Sequence, residues 1–190
     1  MTTHIYMIRH AESPFVHGEE STRGLSEAGH EAVLTINEIM RPEQVDVVVS
    51  SSYERAVLTV QGVADERGLT VTRFEELRER AIEGLDYRTA WEELEGAIKQ
   101  SFIDKDYALP GGESTRHVQE RAIPVIRRLL QEYAGRKIAI GTHGNIMTII
   151  MNYFDESYGY DFWNSTSKPD IYRLDFDGER LIAVKRLWEA

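Results

Sequence analysis

Short apolar runs alternate with longer amphipathic stretches along this chain, and the two periods predict different elements. His4–Ile8, Val45–Ser50, Thr70–Phe74 and Lys137–Gly141 are brief and apolar, and each reads as a β-strand. Between them, apolar residues recur at helical spacing. Ser26–Met40 repeats Ala28, Ala32, Val33, Ile36, Ile39 and Met40, with Ser26 placed as the N-cap. Tyr53–Asp65 repeats Ala56, Val57, Val60, Val63 and Ala64. Thr89–Phe102 carries Ala90, Trp91, Leu94, Ala97 and Ile98 on one face, which assigns Trp91 to the core. A longer helix over Val118–Tyr133 stops before Gly135, a residue suited to a C-terminal cap, and Pro124 inside it predicts a kink or a late start. Ile146–Phe154 is apolar on nearly every side and predicts a helix buried between layers. Ile171–Phe176 and Arg180–Leu187 flank Asp177-Gly178, a strong hairpin signal. That hairpin either finishes the sheet or pairs with another chain, so the oligomeric state stays open.

Strands alternating with helices are the pattern of an α/β protein. With 190 residues and no internal repeat, one domain over 1–190 is expected, a three-layer α/β/α sandwich around a largely parallel central sheet. Composition then removes function classes. The chain has no cysteine, which excludes a disulfide framework, a thiolate metal site and a cysteine nucleophile. Its 32 Asp and Glu against 22 Lys and Arg give a net charge of -10, which argues against nucleic-acid or anionic-membrane partners. No run reaches the roughly 18 apolar residues of a membrane span, and the N-terminus lacks the pattern of a signal peptide. A cytoplasmic location is the expectation.

The chemistry gathers after the strands. Arg9 and His10 follow the first, Ser50, Ser51 and Ser52 with Arg55 the second, and Thr142, His143 and Gly144 the fourth. Ligands of parallel sheets bind outside the carboxyl ends of the strands, so three ends bring two histidines and two arginines to one edge. Arginine forks and helix N-termini suit phosphate oxygens. A histidine among cations is held neutral, as a nucleophile must be. The set is suited to phosphoryl transfer to a histidine. The six histidines show no paired ligand spacing and no Asp cluster accompanies the site, so neither a metal nor another cofactor is expected.

Arg9-His10-Ala11-Glu12-Ser13 resembles the Arg-His-Gly signature of the histidine phosphatase superfamily, the phosphoglycerate mutase-like family. Leu25-Ser26-Glu27-Ala28-Gly29 is similar to its Leu-Thr/Ser-x-x-Gly segment, and Ser50 to Thr59 to its Ser-Ser-x-x-x-Arg-Ala-x-x-Thr motif. Leu77-Arg78-Glu79 with Glu83-Gly84, Gly112-Glu113-Ser114 and Thr142-His143-Gly144 follow in the family's order, and the resemblance spans roughly residues 5 to 155. It implies a phosphatase of small phosphomonoesters in which His10 carries the phosphoryl group. Arg9, Arg55 and His143 would hold its oxygens, and Glu79 would serve as general acid and base, with Glu83 as competitor for that role. Ser13, Arg23, Gly144 and Asn145 join as substrate or phosphate contacts, a small phosphorylated metabolite is the implied ligand, and residues 86–112 would form a small helical cap. Two positions depart from the pattern. Ala11 stands where the family has glycine, and Val16 where it has asparagine. The compact stretch from Glu79 to His143 favours a phosphatase with an open site over a mutase-type phosphotransferase, while Ala11 is the single hint of a non-catalytic phospho-ligand module.

Overall fold

Alternation along the first strand decides the layers. Ile5 and Met7 point to one face of the sheet, Tyr6 and Ile8 to the other, and all four are fully buried. A strand apolar on both sides is stable only with helices on both sides. The computed structural model describes residues 1–189 and has that arrangement. Its strands are β1 (Thr2–Arg9), β2 (Val47–Ser51), β3 (Val71–Phe74), β4 (Lys137–Thr142), β5 (Asp170–Asp177) and β6 (Arg180–Arg186), in the order β3-β2-β4-β1-β5-β6. The first four of these run parallel, while β5 is antiparallel to β1 and β6 to β5.

The helices are α1 (Glu27–Met40), α2 (Glu54–Asp65), α3 (Trp91–Ile103), α4 (Thr115–Glu132), α5 (Gly144–Phe154) and α6 (Tyr160–Ser165). Ile36 and Met40 of α1 join Val60 and Val63 of α2 in the core on one face. Ile126 and Leu129 of α4 join Ile146 and Ile150 of α5 on the other. Ser26 caps α1 as its position suggests, its hydroxyl accepting the Gly29 N–H at 3.0 Å. Residues Gly144 to Asn152 of α5 are all buried, in line with its continuous apolar pattern.

Four details differ from the sequence reading. α4 starts early, at Thr115, and runs through Pro124. Pro124 and Glu120 are both exposed, so the carbonyl that the proline leaves unbonded faces water. Trp91 is the first residue of α3 and is 57% exposed; Ala97 and Ile98 fill the core instead. α6 has too few residues to show a helical period. In the last hairpin Asp177 still pairs with Arg180, so the turn is Gly178-Glu179, and Gly178 takes φ +61° at the first central position. That hairpin finishes the sheet edge.

β5 is anchored at its start by Asp170, which is fully buried and faces Arg9 in the register. Its carboxylate accepts from Arg186 Nε and Nη2 and from the N–H groups of Ser167 and Ile171. Asp170→Ala should cost about 2–3 kcal/mol, because it strands buried N–H donors. Arg186→Ala should cost less, since the Arg186 side chain is 44% exposed. Urea unfolding of the two variants checks the order.

Candidate active site

β1 and β4 end side by side, and the pairing continues one residue past β1, where the His10 N–H bonds the Thr142 carbonyl at 2.9 Å. This sets His10 against His143, with ring centroids 5.2 Å apart. β2, on the other side of β4, supplies Ser51, whose hydroxyl lies 2.8 Å from His143 Nε2. The first turn of α2 adds Arg55, only 1% exposed. Three strand ends thus bring together His10, Arg9, Arg55 and His143, as the sequence implied.

The hydrogen bonds of His10 define its tautomer. Nδ1 lies 2.7 Å from the Ala11 carbonyl oxygen, which can only accept, so Nδ1 carries the hydrogen. Nε2 therefore holds the lone pair, and Arg55 Nε donates toward it at 3.4 Å. Burial pushes the His10 pKa well below its ordinary value, and Arg55 and Arg9 push it further. The His143 pKa is likewise well down, from burial first and then Arg55 and His10. The sequence reading credited cations for the neutral imidazole; burial is the larger cause. Ala11 is fully buried and donates its N–H to Thr59 Oγ1 at 3.0 Å, without a positive φ. The extra Cβ therefore fits an ordinary backbone. Val16 lies exposed on the loop that follows.

Each arginine is held differently. Arg9 packs on the start of α5, where a Cβ on Gly144 would come within 2.6 Å of its Cζ, so Gly144 acts as the floor beneath a guanidinium. Arg9 Nη1 donates to Thr166 Oγ1 at 2.5 Å. Arg55 donates from Nη2 to the Glu20 carboxylate at 3.0 Å and from Nη1 to the Glu20 carbonyl. Arg23 also reaches the Glu20 carboxylate, at 3.3 Å, and donates to Ser13 Oγ at 2.6 Å. Ser13 in turn donates to the Gly24 carbonyl, so it positions Arg23. A resident carboxylate therefore lies on two cations of the site, and His10 is only 5% exposed. The pocket is more closed than the compact spacing from Glu79 to His143 implied.

Glu79 sits at the N-terminus of α5. Its Oε1 accepts the N–H groups of Arg80 and Ile146, at 2.9 and 2.8 Å, and Oε2 accepts that of Asn145 at 3.1 Å. Oε2 thus has the greater unused capacity. Glu79 is half-buried, and the partners of its carboxyl group are backbone N–H groups. Asn145 contributes its backbone, while its buried Oδ1 has no partner. Glu83, the competitor for the general-acid role, bonds the backbone N–H and hydroxyl of Thr89 and so fixes the loop before α3.

Sequence reasoning named Ser51 only among the three serines after the second strand, and missed Thr59, Glu20, Thr166 and Lys168 as individual site residues. Thr59 closes the quoted Arg-Ala-x-x-Thr motif, and that position was its signal. Thr166 and Lys168 carry none, because only the β5 register brings them to Arg9. Among the described residues no group of three or more His, Cys, Asp or Glu could hold a metal ion. An open cavity of about 440 Å³ lies at the far ends of α1 and α2, lined by Arg41, Gln44, Val45, Glu66 and Arg67. Its arginines are taken by Glu66 and by helix carbonyls, so it adds nothing to the site.

The two depressed imidazoles make stability pH-dependent. Above about pH 6.5 they are neutral in both folded and unfolded chains. Below that, the unfolded chain takes up protons that the folded site refuses, so stability falls with acid. Thermal unfolding from about pH 7.5 down to about pH 5.5 should show the loss. His143→Gln should make it smaller.

Comparisons with known proteins bear on this geometry. The model of the histidine phosphatase superfamily (branch 1) matches residues 5–188. Phosphoglycerate mutase-like protein 4 of Arabidopsis thaliana is 30% identical over 188 residues, covering 93% of this chain and 81% of that one. Glucosyl-3-phosphoglycerate phosphatase of Mycolicibacterium vanbaalenii is 24% identical over 160 residues, covering 77% of this chain and 71% of that one. Among solved structures, native mycobacterial glucosyl-3-phosphoglycerate phosphatase superposes with a TM-score of 0.78 at 20% identity, covering both chains fully. Phosphoserine phosphatase of Entamoeba histolytica, in complex with 3-phosphoglyceric acid, gives 0.77 at 16% identity and covers 98% of each chain. The chain belongs to the histidine phosphatase superfamily.

Proposed function

We propose that this protein hydrolyses small phosphomonoesters through a phosphohistidine at His10. The observation that carries the reading is the buried imidazole with its Nδ1 hydrogen fixed on the Ala11 carbonyl and its Nε2 lone pair turned toward Arg55, on a long contact of 3.4 Å. Nε2 attacks phosphorus in line. Arg9, Arg55 and His143 hold the equatorial oxygens, and their charge offsets that of the transition state. A bound dianion favours imidazolium, so His143, whose Nδ1 has no partner, gains a proton and donates it as a hydrogen bond. Arg23 reaches the same oxygens once the Glu20 carboxylate yields its place.

Glu79 serves as general acid. Oε2 gives its proton to the departing alkoxide, and the resulting carboxylate then takes a proton from the water that attacks the phosphohistidine. Residues 86–112 act as a cap over the leaving group, with Tyr87 and Trp91 presenting exposed aromatic surface. The named phosphatases among the relatives support a small phosphorylated substrate. No helix among the described residues is long and apolar enough to cross a membrane.

Burial of His10 favours a second reading, phosphotransfer of the mutase type, because a phosphohistidine must then outlast water. The short stretch between Glu79 and His143 favours hydrolysis. The two part in one assay with phosphoglycerates: hydrolysis predicts inorganic phosphate released faster than the phosphate moves between hydroxyls.

His10→Ala should lower kcat on an aryl phosphate by roughly a thousandfold or more, without any need for metal. An acid-labile, base-stable phosphoenzyme should be trapped by rapid quench in the wild type and be absent from that variant. Glu79→Gln should cost roughly a hundredfold on alkyl phosphates and less on aryl phosphates, whose leaving groups need little protonation.

A further inference from the structure

Two arginines of the site share a carboxylate that the reaction does not use. Glu20 lies on the loop between β1 and α1. Its Oε2 accepts from Arg55 Nη2 at 3.0 Å, and its Oε1 accepts from Arg23 Nε at 3.3 Å. The donors it takes are ones a phosphoryl group needs. In a guanidinium, the Nε hydrogen and one of the Nη2 hydrogens point the same way and form one fork. On Arg55 that fork spans His10 Nε2, toward which Nε donates at 3.4 Å, and the Glu20 carboxylate. A phosphoryl group in line with His10 Nε2 therefore meets the carboxylate at the same edge of the same side chain.

Both arginines have other anchors. Arg55 is 1% exposed, packs over the Tyr53 ring at 5.1 Å and gives Nη1 to the Glu20 backbone carbonyl at 2.5 Å. Arg23 gives Nη1 to the carbonyl and the hydroxyl of Ser13, at 3.1 and 2.6 Å. These contacts remain when the carboxylate leaves. The Glu20 side chain is 36% exposed, so rotation about its own bonds carries the carboxylate into water while its backbone stays on Arg55.

Donors that hold a phosphoryl dianion also hold inorganic phosphate, and affinity common to substrate and product does nothing for the chemical step. We propose that Glu20 is an internal competitor of phosphate, which leaves Arg55 and Arg23 when a phosphoryl group binds and returns to them when inorganic phosphate departs. This rests on the phosphatase reading above and adds to it a device that keeps product affinity low.

Calorimetric titration with inorganic phosphate reads the competition without turnover. It reports stoichiometry apart from Kd, so the folded fraction does not enter. A site from which the competitor is absent about one-tenth of the time binds about tenfold more weakly than the bare site. Glu20→Gln and Glu20→Ala should therefore lower Kd for phosphate roughly tenfold. Glu19→Gln removes a charge from the same loop at an exposed position and should leave Kd nearly unchanged. A Kd unchanged in the Glu20 variants overturns the proposal, as does an equal fall in Glu19→Gln. A raised Kd overturns it too and makes Glu20 a positioning residue for the arginines. If no ester is hydrolysed but Kd falls in the Glu20 variants alone, the phosphatase reading fails and the competition stands. If neither the wild type nor the variants bind phosphate, both fail.

Discussion

Cations crowded beside a neutral imidazole, out of water, are the constraint on which the rest of this structure depends. Burial lowers the pKa of both Arg9 and Arg55, and Arg23 lowers that of Arg55 further. Such a cluster persists only if neighbouring oxygens hold each guanidinium in place. Thr166 and the floor at Gly144 do this for Arg9, and Glu20 does it for Arg55. The helix that starts at Gly144 directs its first N–H groups at Glu79, which keeps that carboxylate next to the cations without pairing it directly to any of them.

The net charge of -10 and the cationic pocket fit together. An acidic exterior repels large polyanions, while a few buried arginines attract at short range a ligand small enough to enter. The same arrangement explains Glu20. A free protein with this much unbalanced charge at one edge recruits a carboxylate of its own, from the loop between the nucleophile and α1.

How much was legible in the sequence follows the range of the interactions involved. His10, Arg9, Arg55 and His143 sit one step past strands whose apolar runs fix their ends, so local pattern and one rule about strand ends placed them together. Ser26 was equally local, since a cap needs only the residues that follow it. Trp91 was misassigned because a helical period gives the face of a residue but not where the helix begins, and at the first position the face is not yet covered. Pro124 was over-read for the opposite reason. Its effect depends on whether the freed carbonyl meets solvent, which the sequence does not state. Thr166, Lys168 and Glu20 reach the site through sheet register and loop path alone, and no local composition marks them.

The antiparallel seam between β1 and β5 has a consequence for how the protein is made. Arg9 and His10 leave a ribosome well before their partners at Thr142, His143, Thr166 and Asp170. Contacts so distant in sequence close late and slowly. Until those partners emerge the nucleophile strand lacks the neighbours that bury it, and two apolar faces wait beside unpaired edges. Catalytic competence and escape from aggregation therefore arrive in the same event, the docking of β4 and β5 on either side of β1.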